Sequence, residues 1–169
     1  RFVTAVAGVM NCRTRTLRIA GAGHPAPVVL GGDGSTKELE TSGGLLGVFE
    51  DEQFEATEVQ LNEHDRLLVY SDGLEMAFPK TQDGKVQPNR PTTRFRDEFK
   101  RLRGIHCPTQ FIDHLRQRID AEPGSIHQSD DITLICMHAG ATTTGEASER
   151  RVNKNRAMAG DVASIPPGA

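Results

Sequence analysis

The chain has 169 residues, enough for one domain with a core of its own, and a formal net charge of −3. That charge gives no electrostatic basis for binding nucleic acid or an anionic membrane, and no apolar run is long enough to cross a bilayer. The three cysteines, Cys12, Cys107 and Cys136, lack CxxC spacing and suit the reduced thiols of a cytoplasmic protein.

The first half has strand character. Residues 2–10 (FVTAVAGVM) are rich in β-branched side chains, residues 16–20 alternate around Leu17 and Ile19, and the stretch 11–15 between them predicts a hairpin turn. Because this run begins directly after Arg1, without a polar lead-in or signal peptide, the chain is expected to be an excerpt that starts inside a domain. Residues 26–30 make a third short strand, closed by the turn Gly31-Gly32-Asp33-Gly34. Residues 54–61 alternate imperfectly around Phe54, Ala56, Val59 and Leu61, which predicts a strand with a bulge. After a turn at 62–65, residues 66–71 (RLLVYS) are apolar on both faces, as in a strand covered from both sides.

The period then lengthens. Phe95, Phe99 and Leu102 recur at helical spacing, and a second helix begins near Pro108, a residue suited to the first helical position. Its apolar side carries Phe111, Leu115 and Ile119, with Ile112 beside them, and Gly124 follows it. Residues 132–137 (ITLICM) predict a last strand buried on both faces. From residue 140 onward large apolar residues almost vanish, so ordering entropy cannot be offset by burial. Residues 1–139 are therefore expected to fold and 140–169 to form a disordered tail or linker.

Two aspartate sites stand out by position. Asp72 ends the strand RLLVYS and precedes Gly73; Asp130 and Asp131 immediately precede ITLICM. If those strands are antiparallel neighbours, both sites meet at one edge of the sheet. Converging carboxylates repel one another unless a cation neutralises them, and an all-oxygen donor set suits Mg²⁺ or Mn²⁺. Taken singly, each is also explained as an ordinary turn or solvated strand start.

The stretch Gly21-Ala22-Gly23-His24-Pro25-Ala26 imitates a dinucleotide loop, but Pro25 and Pro27 exclude the helix that fingerprint needs. It predicts a tight loop presenting His24, in a structural or a catalytic role. His106, Cys107 and His114 show no zinc spacing, and His64 and His138 fall at a turn and a strand end. Arg94, Arg96, Lys100, Arg101 and Arg103 read as the solvated face of a helix or as a docking surface for a phosphoprotein.

In order, FVTAVAGVM, AGAGHPAPVVL, SGGLLG, DRLLVYSDGLEMA and SDDITLICM resemble the type 2C (PPM) metal-dependent protein phosphatase family. More narrowly, they are similar to its bacterial branch of sporulation stage II protein E and sigma-factor-regulating phosphatases. The resemblance runs from Phe2 to about His138. It implies an α+β fold, a layered α-β-β-α sandwich of two antiparallel sheets flanked by helices, here lacking its N-terminal strands. It also implies hydrolysis of phosphoserine or phosphothreonine on a regulatory protein, such as an anti-sigma-factor antagonist, by water activated between two Mn²⁺ or Mg²⁺ ions. An upstream sensor or regulatory domain is expected.

On this pattern Asp72 and Asp130 match metal ligands, Gly73 permits a close backbone approach, and Asp131 orders its loop. Gly21, Gly23 and His24 match a loop that faces substrate or shapes the site. The family's bridging aspartate and neighbouring glycine ligand have no counterpart here, so this chain alone is expected to be inactive. Glu75 directly follows Leu74, with Met76 where the family commonly has glutamate, which turns Glu75 about 100° from the expected direction in a regular helix. Met76, and Ser71 where threonine is common, suggest the alternative of a degenerate, non-catalytic interaction module.

Overall fold

A computed structural model describes residues 2–82, 85–87, 91–122 and 131–140. The expected tail, Asp130 and Gly124 lie outside the described residues, except for Gly140 at the tail's start.

Strand β1 (Ala5–Asn11) and β2 (Thr16–Ala22) form the expected hairpin. Its turn is closed locally: Asn11 Oδ1 accepts from the backbone N–H groups of Arg13 and Thr14 at 3.0 and 3.1 Å. Strands β3 (Val28–Leu30) and β4 (Thr36–Glu38) make a second hairpin across the glycine-rich turn, and β4 was not foreseen because none of its residues is apolar. Strand β5 (Thr57–Gln60) is shorter than the alternation suggested, leaving Phe54 outside it, and pairs in regular register with β2. After β6 (Arg66–Tyr70) come a single-turn helix α1 (Gly73–Met76) and a small hairpin of β7 (Lys80–Gln82) and β8 (Lys85–Gln87). Helices α2 (Arg94–Arg101) and α3 (Pro108–Ala121) and strand β9 (Leu134–His138) complete the order.

The strands form two main antiparallel sheets, β1-β2-β5 and β4-β3-β6-β9. Their shared core contains Leu17, Ile19, Val59 and Leu61 from one side and Val29, Leu39 and Leu67 from the other. Alternation on the second sheet then turns Val28, Leu30, Leu68 and Tyr70 to its opposite face, where α1, α2 and α3 pack. There Tyr70, Phe95, Phe99 and Phe111 form a chain of ring contacts with centroids 5.1 to 6.0 Å apart. Burying each such ring stabilises the fold by roughly 1.5–3 kcal/mol. The described helices all lie on this one side, so the described layers are β-β-α. Strand β6 is covered from both faces, as its pattern required.

Strand β9 corrects an expectation. Leu134 and Cys136 face the helices, but Ile135 and Met137 are 52% and 41% exposed. Among the described residues β9 is the edge strand of its sheet, and its inward face reaches beyond the cover of the three-stranded sheet. The basic residues of α2 are more engaged than a solvated face implies. Arg94 pairs with Glu122, Arg96 with Glu38, and Arg101 together with Arg118 neutralises the buried Glu98.

Candidate active site

The antiparallel register of β6 and β9 brings the end of one strand beside the start of the other. Beyond Tyr70 the pairing continues through Ser71, whose N–H donates to Thr133 O at 3.0 Å. The Ser71 hydroxyl accepts from Thr133 N at 2.9 Å and donates to Asp131 O at 3.1 Å. Gly73 sits against this junction: a Cβ there would lie 2.5 Å from Asp131 O. Asp72 caps the start of α1 by position, yet its side chain makes no capping bond and stands exposed. Asp131 also lines a different cavity, between α3 and β9, together with Arg116 and Asp120. Asp130 lies outside the described residues.

The glycine-rich loop reaches the same edge. Gly23 adopts φ 59°, a left-handed conformation easy only for glycine, and donates to Gly43 O at 3.1 Å. A Cβ on Gly21 would collide with Thr41 Oγ1 at 2.3 Å, and one on Gly23 with Leu45 Cδ2 at 2.5 Å. The loop can therefore seat closely on the segment from Thr41 to Leu46 only without side chains at these two positions. This seating projects the half-buried His24, whose Nδ1 lies 3.5 Å from Thr4 Oγ1.

A cleft of about 320 Å³ opens here, lined by Thr4, Gly23, His24, Pro25, Ser71, Asp72 and Glu75. Strand end and glycine loop thus share one concave surface. Glu75 was set aside in the sequence because a regular helix turns it from the family direction, but the single turn of α1 brings it into the cleft with Asp72. The i, i+3 spacing of the two carboxylates was the available signal. Nothing in the sequence singled out Thr4. Burial holds the Glu75 carboxyl above its ordinary range, the Asp72 charge pushes the same way, and Arg96 opposes both.

Among the described residues, no three His, Cys, Asp or Glu side chains are grouped so as to hold a metal ion. The chemistry of the donors nevertheless fits a hard divalent cation. Asp72 presents a carboxylate without a hydrogen bond or ion pair among the described residues, and the repulsion felt by Glu75 is the kind a cation relieves. His114, by contrast, bonds to Gln110 O within its own helix at 2.8 Å, away from this cleft.

The family model described as Stage II sporulation protein E (SpoIIE) matches residues 1–140. Protein IcfG of a Synechocystis strain is 22% identical over 139 residues, 81% of this chain and 20% of IcfG. The phosphatase domain of the cell fate determinant SpoIIE from Bacillus subtilis, presoaked with Mn, superposes with a TM-score of 0.59 at 16% identity. That match covers 83% of this chain and 58% of the SpoIIE structure. The RsbU and RsbW domains of Rv1364c from Mycobacterium tuberculosis give a TM-score of 0.59 at 24% identity, over 92% of this chain and 44% of theirs. The chain thus spans about half the length of these solved structures and a fifth of IcfG.

Proposed function

The chain belongs to the stage II sporulation protein E family of PPM-type phosphatase domains, and on that premise we propose that it is the part of a divalent-metal-dependent protein serine/threonine phosphatase carrying Asp72 and Asp130 as metal ligands. The observation behind this reading is the common cleft in which the β6 strand end and the Gly23-His24 loop meet. Its substrate would be a phosphoserine or phosphothreonine on a regulatory protein, an anti-sigma-factor antagonist being the type the family suggests.

Each residue has a role in this proposal. Asp72 and Asp130 hold Mn²⁺ or Mg²⁺ through hard carboxylate oxygens. When bound, two such cations supply an activated water and offset charge on the phosphoryl oxygens. Gly73 lets the backbone at Asp131 close against α1, and Asp131 orders the loop through its carbonyl bond to Ser71. Gly21 and Gly23 let the opposite loop approach, and His24 faces the substrate. Ser71 keeps both its hydroxyl bonds across the junction, which supports an intact site over a degenerate, non-catalytic module. The proposed setting is the cytoplasm, beside an upstream regulatory domain; among the described residues no helix is long and apolar enough to cross a membrane.

The test pairs two measurements on the whole gene product that carries this chain. Asp72→Asn is expected to weaken Mn²⁺ binding in calorimetry and to lower hydrolysis of a phosphoserine peptide at least tenfold, with the melting temperature little changed. Undiminished Mn²⁺ binding and turnover would refute the assignment. The 169-residue chain alone should show little turnover in the same assay, because a two-ion site needs a bridging ligand beyond Asp72 and Asp130.

A further inference from the structure

Three imidazoles from distant parts of the sequence converge at the end of the β6–β9 ladder opposite the candidate active site. His64 lies in the turn before β6, His106 between α2 and α3, and His138 ends β9. The His64 ring centroid is 6.0 Å from that of His106 and 5.9 Å from that of His138, stacked on the latter at 27°. The surrounding backbone fixes this arrangement. His64 is held at φ 71°, and its N–H donates to Ala139 O at 2.8 Å while Ala139 N donates to Asp65 O at 2.8 Å. Arg66, paired with His138 in the ladder and fully buried, donates to the carbonyls of Arg103 and Ile105 and so anchors the loop that carries His106.

The charges facing His138 are nearly all positive or able to become so. Strand β6 contributes Arg66, the turn His64 and the α2–α3 loop His106; the β1–β2 hairpin contributes Arg15 and Cys12, which line one cavity with His138; and α3 presents the Phe111 ring beneath Arg66. Two carboxylates belong to the turn. Asp65 is engaged by the N–H groups of Gly32 and Asn62 at 3.0 and 2.7 Å, and Glu63 lies 3.6 Å from the exposed His64. His138 Nε2 is enclosed and has no hydrogen-bond partner among the described residues. Among the described residues, a proton placed there would meet neither an acceptor nor a compensating charge.

We propose that this cluster is a proton-operated clasp. While the imidazoles are neutral, the turn at 62–65, the end of β9 and the α2–α3 loop pack together; protonation of His138 drives them apart and loosens the edge strand β9. Burial first, then His64, Arg66 and His106, hold the His138 pKa below its ordinary 6.5. The sign follows by linkage. The opened form takes up the proton before the closed one, so the closed form loses stability as pH falls below about 6.5. Because β9 starts at the candidate active site, the clasp couples acidity to the strand that presents Asp131. It requires no phosphatase activity.

Amide exchange of β9 in the 169-residue chain, corrected for intrinsic rates, tests this between pH 7.5 and 5.5. The opened population should rise by up to about tenfold per pH unit for one linked proton. In His138→Phe, which keeps an enclosed ring without a titrating nitrogen, the rise should stay below about twofold. His106→Asn, which removes one neighbouring charge, should move the His138 titration midpoint in NMR upward and serves if His138→Phe fails to fold. A His138 midpoint at or above about 6.5 in the wild type, an unmoved midpoint in His106→Asn, or an unaltered pH dependence in His138→Phe would overturn the proposal.

Discussion

Replacing Gly73 with Ala tests how the strand junction is built. The added Cβ would lie 2.5 Å from Asp131 O and 3.1 Å from Asp131 C, where Cβ atoms essentially never come within 3.0 Å. The backbone at Asp131 must therefore retreat by at least about 0.5 Å. That backbone is not free to move: Ser71 grips it through bonds of 2.9, 3.0 and 3.1 Å to Thr133 and Asp131. Overpacking of this kind costs about 1–3 kcal/mol, whereas the helix preference of alanine returns up to about 1 kcal/mol. The clash wins, with a net loss of about 1 kcal/mol, or roughly 2–4 °C in melting temperature for a chain of this size. Gly104→Ala is the control, since nothing lies within 4 Å of its Cβ. It should be neutral or stabilising by up to about 1 kcal/mol. Thermal and urea denaturation of the three proteins decide the matter. A Gly73→Ala protein as stable as Gly104→Ala would show that the close approach of α1 to the start of β9 is not a constraint.

Two further outcomes follow from the core. Tyr70 is the only tyrosine and the chain has no tryptophan, so phenolate absorbance reports it alone. Burial raises its pKa to about 12, so native protein should titrate near that value and denatured protein near 10; stability should fall as pH rises from 10 to 12, where only the unfolded chain has released the proton. Arg66→Met should cost about 3 kcal/mol in urea denaturation, because the carbonyls of Arg103 and Ile105 lose their buried donor, partly offset by removing a buried charge.

Local patterns in the sequence were enough for the strongest elements. Leu67, Leu68 and Tyr70 in one run predicted a strand covered on both sides, and Phe111, Leu115 and Ile119 at helical spacing predicted a buried helix face; both formed. Pro25 and Pro27 by themselves excluded a dinucleotide loop. The convergence of the Asp72 and Asp131 segments was conditional on strand pairing, because alternation fixes which residues share a face but not which strand lies beside which. Tertiary structure alone settled that pairing, and with it the exposure of Ile135 and Met137, since an edge strand and a central strand can carry the same apolar run. It alone brought Thr4, His24 and Glu75 around Asp72, and His64, His106 and His138 around Arg66. Such clusters form from side chains far apart in sequence, where contact depends on how sheets and helices pack and no local period records it.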